Sequence, residues 1–158
     1  MPMLHNGDQF PGLIISTVGG DRLSLPDDLA GSYSVVLVNR GSWCPYCNAQ
    51  LAGFARAGDK LAELGIRVVA MSVDDEETAS ALVDKLHLTF PVGYGVDADC
   101  IAETLGAYIN DHPKYVQGTG FVLDPDGRVL LALYSSGAIG RLVADDVAGF
   151  VRYVRSHG

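Results

Sequence analysis

Two kinds of hydrophobic pattern alternate along the chain and predict its elements. Short continuous apolar runs are typical of strands buried on both faces of a sheet, whereas apolar positions three and four residues apart predict amphipathic helices. Strands are predicted at residues 13–18, 22–25, 33–39, 67–73, 90–93, 121–123 and 129–134. Helices are predicted at residues 44–64, about 74–87, 97–108 and about 143–155.

The order of these elements indicates one α/β domain spanning residues 1–158. The first two strands are joined across Gly19-Gly20, a common hairpin turn, and residues 26–31 form a turn or a single helical loop. Two βαβ units follow, and then a β-hairpin and a last helix. Parallel crossovers are right-handed, so helices are expected on both faces of a mixed central sheet. Gly53 and Gly58 weaken the long first helix and predict a bend.

Two cysteines lie between a buried strand and the start of a helix, in the run Trp43-Cys44-Pro45-Tyr46-Cys47. Ligands of open α/β sheets bind beyond the carboxyl ends of central strands, which is where this motif falls. Free N–H groups and the dipole at a helix start stabilise a thiolate, the nucleophilic form of cysteine. Cys44 is therefore expected to be the more exposed nucleophile, with a pKa below the ordinary value of about 8.5. Cys47, one turn later, can attack a sulfenic acid or mixed disulfide on Cys44.

Neighbouring residues have both a functional and a structural interpretation. Pro45 suits the first helical turn, where its missing N–H costs nothing. Arg40, the only cation near the motif in the sequence, either holds the thiolate or a peroxide oxygen or pairs with a surface carboxylate. Trp43 either forms a lid beside the thiols or packs at the end of the strand. Tyr46 either donates its hydroxyl at the mouth of the site or is simply exposed.

The composition narrows the classes of partner. The net charge is −8 and the eleven basic residues are scattered, which argues against binding nucleic acid or an anionic membrane surface. The sequence has no run of about 18 apolar residues, and its N-terminus lacks the pattern of a secretion signal. We therefore expect a cytoplasmic protein.

The chain has three cysteines, which do not make a disulfide framework for a domain of this size. A zinc site needs a second pair of ligands, and no Cys or His spacing provides one, so neither a metal nor another cofactor is expected. The third cysteine, Cys100, is expected to be a small, partly buried residue rather than a second resolving cysteine. His112, before a proline in a loop, is expected to be solvated.

The order of elements, the Cys44–Cys47 motif and the run from Gly120 to Val129 (Gly-Phe-Val-Leu-Asp-Pro-Asp-Gly-Arg-Val) together resemble the thioredoxin fold. From about Gly7 onward the chain resembles the alkyl hydroperoxide reductase / thiol-specific antioxidant (redoxin) family, in particular its peroxiredoxin-like branch with Cys-x-x-Cys at the peroxidatic position. The resemblance implies a thioredoxin-like three-layer α/β/α sandwich with a mixed central sheet and an N-terminal β-hairpin. It also implies that Cys44 is peroxidatic and Cys47 resolving.

The chain departs from the family pattern on both sides of the site. Gly41 stands three residues before Cys44, where peroxiredoxins usually have a Thr or Ser that binds the peroxide. Residues 117–120 read Gln-Gly-Thr-Gly where the family brings in an arginine, and they also lack the cis-proline of thioredoxins. Either these small residues let a substrate approach, with Thr119 as a donor, or they form an irregular start of a strand.

The leading hypothesis is a peroxidase that reduces hydroperoxides and is regenerated by an external thiol, either thioredoxin-like or of low molecular weight. The first alternative is a protein disulfide oxidoreductase that uses the same Cys44–Cys47 dithiol on disulfide substrates. Further alternatives are a redox-sensing module without turnover and, last, a zinc-binding module. Relatives with this fold often pair through sheet edges or helix faces, so a homodimer is an open alternative to a monomer.

Overall fold

The computed structural model describes residues 2–157. Its nine strands are β1 (Leu13–Thr17), β2 (Arg22–Leu25), β3 (Tyr33–Val38), β4 (Ile66–Met71), β5 (Val92–Tyr94), β6 (Ile109–Asp111), β7 (Lys114–Val116), β8 (Thr119–Leu123) and β9 (Val129–Tyr134). Its five α-helices are α1 (Pro45–Arg56), α2 (Gly58–Glu63), α3 (Glu76–Leu86), α4 (Ala98–Leu105) and α5 (Ala144–His157), and a short 3₁₀ helix covers Asp27–Leu29.

Seven of the strands form one mixed sheet in the order β2-β1-β5-β4-β3-β8-β9. The central strands β3, β4 and β5 run parallel, as the two βαβ units require. The N-terminal hairpin pairs antiparallel with β5 at one side, and β8 pairs antiparallel with β3 at the other. The predicted mixed sheet and N-terminal hairpin are confirmed.

The sheet is covered on both faces, and each face has its own hydrophobic core. Val35 and Leu37 of β3 point toward the side occupied by α1, α2, α3 and α5. Val36 and Val38 point to the other side, where α4 and the N-terminal residue Phe10 cover them. Alternate residues of a strand face opposite sides, so one apolar run supplies both cores. The predicted three-layer α/β/α sandwich is confirmed.

The long first helix ends sooner than its hydrophobic pattern predicts. Helix α1 continues through Gly53 and ends at Arg56, with Ala57 as its C-cap, and α2 begins at Gly58. Of the two glycines expected to mark a bend, only Gly58 lies at the break. The two helices still present one continuous apolar face, because Phe54 and Leu61 both pack into the same core.

The predicted helix over residues 97–108 is too long at its C-terminus. It ends at Leu105 because Gly106 adopts the left-handed conformation (φ +77°) and donates its N–H to the carbonyl of Ala102. Residues 109–116 then form the β6–β7 hairpin, which the pattern did not predict. Strands of three residues are too short to show a period of two.

None of the helices within residues 2–157 has the length and apolar character needed to cross a bilayer.

Candidate active site

Cys44 occupies the N-cap of α1, directly after the turn that leaves β3. Its sulfur accepts the backbone N–H of Cys47 at 3.3 Å, in the way that a Ser or Thr oxygen caps a helix. Pro45 is the first residue of the helix, as predicted. The motif therefore turns the Cys44 sulfur into the acceptor for an N–H group that the helix itself cannot satisfy.

Both thiols are free and lie beneath the surface. The side chains of Cys44 and Cys47 each have 0 % of their surface exposed. Neither thiol reaches the surface, so the exposure expected of Cys44 is not seen. Side chains of the preceding turn and of β7 cover the helix start. The sequence pattern did not predict this cover.

Arg40 contacts Cys44 and is held between two aromatic rings. Its Nη1 lies 3.7 Å from Cys44 Sγ, and its Nη2 donates to the hydroxyl of Tyr115 at 2.8 Å. The guanidinium carbon lies 4.9 Å from the ring centroid of Trp43 and 5.1 Å from that of Tyr115. The two rings meet edge to face at 4.9 Å. Within residues 2–157 Arg40 forms no ion pair with a carboxylate, so its charge faces the thiol.

A second arginine reaches the other sulfur, which corrects the view that Arg40 is the only cation near the motif. Arg141, in the loop before α5, places Nη2 at 3.5 Å from Cys47 Sγ and donates from Nη1 to the carbonyl of Gly140 at 2.9 Å. Its guanidinium lies against Gly118, where an added Cβ would be 2.3 Å from Arg141 Cζ. The guanidinium of Arg141 can therefore come this close only because position 118 is a glycine.

The segment 117–120 is filled by protein rather than open to a substrate. Gly118 accommodates Arg141, and a Cβ at Gly120 would be 2.7 Å from Leu142 Cδ1. Thr119 pairs with Val38 across the β3–β8 ladder, and its hydroxyl donates to the carbonyl of Gln117 at 3.0 Å. The donor of Thr119 is therefore engaged within its own strand.

The indole of Trp43 lies close to Gly41. A Cβ at position 41 would be 2.3 Å from Trp43 Nε1, so a Thr or Ser there would collide with the ring. Trp43 is 54 % exposed and covers the guanidinium of Arg40 from the solvent side. The departure from the family pattern at Gly41 thus makes room for an aromatic cover over the site.

Hydrogen bonds fix the turn that carries these residues. The Ser42 N–H donates to Asp74 Oδ2 at 2.8 Å, and Asn48 Nδ2 donates to the Ser42 carbonyl at 2.8 Å. The backbone N–H of Arg40 donates to Cys47 Sγ at 3.3 Å. The two sulfurs therefore have fixed donors before any substrate arrives.

A buried amide joins the two sides of the site. Gln50 of α1 accepts from Asn39 Nδ2 at 3.3 Å and donates from Nε2 to the carbonyl of Leu142 at 3.0 Å. This bridge connects the end of β3, the first helix and the residue that follows Arg141. It holds the arginine loop against the thiol pair.

The environment separates the acidities of the two thiols. Burial raises the pKa of Cys44, but hydrogen bonds from the thiol and the N–H of Cys47 and from Arg40 outweigh it, so the pKa lies below its ordinary value. Burial raises the pKa of Cys47, and the Arg40 N–H and Arg141 offset only part of this effect. The Cys44 thiol is therefore the more acidic of the two, and a hydrogen bond from the Cys47 thiol is one cause of this difference.

The remaining candidates lie apart from these contacts. Tyr46 is 50 % exposed on the first turn of α1. Cys100 is exposed at the start of α4, with its sulfur 3.8 Å from Thr104 Oγ1, so the expectation of partial burial is wrong. His112 is exposed in the turn of the β6–β7 hairpin, as expected. Across residues 2–157 no three or more His, Cys, Asp or Glu side chains come together as a metal site.

Sequence reasoning missed Tyr115 and Arg141, the two residues that complete the surroundings of Arg40 and Cys47. Tyr115 lies in the short hairpin that has no recognisable period, and Arg141 follows an irregular loop. One signal was present in the sequence: glycines at 118 and 120 beside a strand indicate the close approach of another group.

Comparison with known proteins agrees with this architecture. A sequence model of the AhpC/TSA family matches residues 6–132. Mycobacterium tuberculosis AhpC superposes with a TM-score of 0.83 at 19 % identity, covering 99 % of this chain and 96 % of that one. Enterococcus faecalis AhpC gives a TM-score of 0.83 at 18 % identity, covering 99 % and 97 %. At these identities the structural likeness establishes the fold.

Two peroxiredoxins share more sequence identity with this chain than these AhpC structures do. A peroxiredoxin of Treponema denticola is 32 % identical over 152 residues, which cover 89 % of this chain and 68 % of the relative. A peroxiredoxin of Chlorobaculum tepidum is also 32 % identical, over 89 % of this chain and 67 % of the relative. With the family match over most of its length and two paired thiols at the start of α1, this chain belongs to the AhpC/TSA family and is a thiol-dependent oxidoreductase of the peroxidase type.

Proposed function

We propose that this protein reduces hydroperoxides with Cys44 as the peroxidatic cysteine and Cys47 as the resolving cysteine. The observation that carries the proposal is that the two sulfurs of one helical turn meet different groups. Cys44 Sγ accepts the Cys47 N–H and lies 3.7 Å from Arg40 Nη1, whereas Cys47 Sγ accepts the Arg40 N–H. These surroundings lower the pKa of Cys44 and raise that of Cys47. Groups whose environments separate their pKa values in this way take different roles in a reaction. Here one thiol is prepared to attack, and the other keeps its proton until the attack has occurred.

In the first step the Cys44 thiolate attacks the distal oxygen of the hydroperoxide. An S–O bond forms, the O–O bond breaks, and the departing oxygen takes a proton and leaves as an alcohol or water. Cys44 becomes a sulfenic acid. Arg40 supports this step because its Nη1 lies 3.7 Å from the sulfur, and the positive charge stabilises both the thiolate and the negative charge on the departing oxygen.

In the second step Cys47 attacks the oxidised sulfur of Cys44. The S–S bond forms, the S–O bond breaks, and the hydroxyl leaves as water after it takes a proton. The resulting disulfide joins two residues of one helical turn, and an external thiol then reduces it in two exchange reactions. A thioredoxin-like protein or a low-molecular-weight thiol is the class of reductant, which suits a reducing compartment such as the cytoplasm.

The test uses the single tryptophan of the chain, Trp43, which adjoins Cys44. Reduced protein is mixed with hydrogen peroxide or an organic hydroperoxide in a stopped-flow instrument, and Trp43 fluorescence is recorded. We expect a phase whose rate rises in proportion to peroxide, and we expect it to be absent in Cys44→Ser. Cys100→Ser is the matched control, because it removes an exposed thiol and should keep the phase.

Mass spectrometry of the oxidised protein completes the test. We expect a Cys44–Cys47 disulfide in the wild type and a sulfenic acid on Cys44 in Cys47→Ser. Negligible peroxide consumption together with rapid reduction of insulin disulfides would contradict the proposal. That result would identify a disulfide oxidoreductase that uses the same dithiol.

A further inference from the structure

Two arginines approach the thiol pair, and each contacts a different sulfur. Arg40 Nη1 lies 3.7 Å from Cys44 Sγ, and Arg141 Nη2 lies 3.5 Å from Cys47 Sγ. We propose that Arg141 is a catalytic residue of the resolving step, in which it holds the Cys47 sulfur as a thiolate for attack on oxidised Cys44. This inference rests on the proposed function. It assigns a separate cation to the resolving step of that reaction.

The place of Arg141 is built for this contact. A Cβ at Gly118 would be 2.3 Å from Arg141 Cζ, so the guanidinium lies in space that only a glycine leaves free. Its Nη1 is fixed on the Gly140 carbonyl at 2.9 Å, and the Gln50 bridge holds the carbonyl of the next residue, Leu142. Arg141 Nε is buried and has no hydrogen-bond partner within residues 2–157. The guanidinium is thus held through Nη1 and Nη2, on the Gly140 carbonyl and the Cys47 sulfur.

The resolving step needs a cation because burial disfavours the Cys47 thiolate. The titratable and charged groups facing Cys47 are Cys44 on the same turn, Arg40 after β3 and Arg141 before α5. Burial raises the pKa of Cys47, and Arg141 acts in the opposite direction. Once Cys44 is a sulfenic acid, it no longer carries the negative charge that disfavours a second thiolate. The Arg141 charge is then available to stabilise the Cys47 thiolate.

The atoms of the step balance without a further oxidant. The Cys47 thiolate supplies the electron pair of the new S–S bond, and the S–O bond of the Cys44 sulfenic acid breaks. The hydroxyl takes one proton, which equals the proton released when Cys47 ionised, and leaves as water. Cys47 is oxidised and the sulfenic sulfur of Cys44 is reduced.

The first experiment separates the two steps in Arg141→Gln. A peroxide-dependent fluorescence phase reports oxidation of Cys44, and a later phase whose rate does not depend on peroxide reports resolution. We expect the second phase to slow by about tenfold or more, the size of one lost charge-assisted hydrogen bond, while the first phase is unchanged. Slow resolution also leaves the sulfenic acid exposed to excess peroxide, so more sulfinic acid is expected on Cys44.

The matched control is Arg152→Gln, an exposed arginine of α5. It removes the same charge from the protein and should leave both phases at the wild-type rate. Equal resolution rates in Arg141→Gln and Arg152→Gln would overturn the proposal. A slower first phase in Arg141→Gln, with resolution unchanged, would also overturn it, because the arginine would then serve Cys44.

A second variant displaces the guanidinium without removing it. In Gly118→Ala the new methyl group collides with Arg141 Cζ. The arginine side chain is flexible, so it can move away. We expect the slow resolution of Arg141→Gln to be reproduced, with no additional slowing when the two changes are combined. Wild-type resolution in a folded Gly118→Ala protein, judged by its thermal unfolding, would contradict the proposal.

A measurement without peroxide distinguishes failure of this inference from failure of the proposed function. In a Cys44→Ser background the thiolate absorbance of Cys47 is titrated with and without Arg141→Gln. We expect the pKa of Cys47 to rise when Arg141 is lost and to stay unchanged in Arg152→Gln. An unchanged pKa in Arg141→Gln would overturn the inference, whatever the peroxidase activity. A raised pKa without peroxide consumption by the wild type would support the Arg141 contact and contradict the proposed function.

Discussion

At the scale of single residues, the acidity of each thiol is set by a small number of hydrogen-bond donors to its sulfur. Cys44 accepts from the Cys47 N–H and from Arg40, and Cys47 accepts from the Arg40 N–H and from Arg141. Burial removes the water that would otherwise solvate a thiolate, so these donors and the start of α1 stabilise it instead. Each donor is therefore expected to have a measurable effect on one thiol.

The lowered pKa of Cys44 predicts how ionisation follows pH. The folded protein stabilises the thiolate, so the proton leaves at a lower pH than from a free cysteine, whose pKa is about 8.5. The ultraviolet absorbance that is lost in Cys44→Ser should therefore appear at a lower midpoint in the folded protein than in the denatured protein. Arg40→Gln should move the midpoint upward, because it removes one of the stabilising groups.

Denatured protein is the control for this titration, and its thiols should ionise near the free value. A native midpoint equal to that of the denatured protein would mean that the folded site does not stabilise the Cys44 thiolate.

Gly41 gives a second prediction at this scale. In Gly41→Ala the methyl group would lie 2.3 Å from Trp43 Nε1, so the indole must leave its place over Arg40. We expect Trp43 emission to shift to longer wavelength as the ring enters water, and stability to fall by about 1–3 kcal/mol.

Gly12→Ala is the control for Gly41→Ala, since no atom lies within 4 Å of a Cβ at that position. An unchanged emission spectrum in Gly41→Ala would show that the ring does not depend on this glycine.

At the scale of elements, Gln50 connects three segments that are distant in sequence. Gln50→Leu leaves the Leu142 carbonyl and the Asn39 amide without their buried partner, so we expect a loss of about 1–3 kcal/mol in denaturant unfolding. Ala49→Ser, at the exposed neighbouring position of α1, should change stability by less than about 0.5 kcal/mol. Equal effects of the two substitutions would mean that the bridge does not hold these elements together.

The sequence pattern predicted the elements with a strong hydrophobic signal and missed those without one. The central strands were predicted because burial on both faces makes them continuous apolar runs, and the helices because one buried face imposes a spacing of three and four residues. The β6–β7 hairpin was missed because three-residue strands carry no such spacing, and Tyr115 was missed with it. The end of α4 at Leu105 was misplaced because the conformation of Gly106 outweighed the apolar position Tyr108.

The candidate site divides in the same way. Cys44, Cys47 and Arg40 are local in sequence, so a single motif indicated their positions. Arg141 is 94 residues from Cys47 and reaches it only through the loop before α5. Its position is decided by tertiary packing against Gly118, which no local pattern encodes.

At the scale of the whole molecule, stability comes from the two cores on either side of the sheet. Leu37 is 0 % exposed in the central strand β3, so Leu37→Ala removes contacts and leaves a cavity. We expect it to lower the free energy of unfolding by about 2–5 kcal/mol in urea. Ile14→Ala, on the same sheet but 65 % exposed, is the control and should have little effect. A comparable loss of unfolding free energy from both substitutions would contradict the placement of Leu37 in the core.

The contact between Arg141 and Cys47 also bears on the synthesis of the chain. Residues that surround the thiols come from positions 40 to 141, so a ribosome makes both cysteines long before it makes the second arginine. Until Tyr115 and Arg141 have been added and folded into place, Arg40 lacks the hydroxyl that accepts from its Nη2, and Cys47 lacks the donor from the C-terminal part of the chain. A growing chain therefore carries the motif in incomplete surroundings, and the two thiols reach their final difference in acidity only when the C-terminal part closes over them.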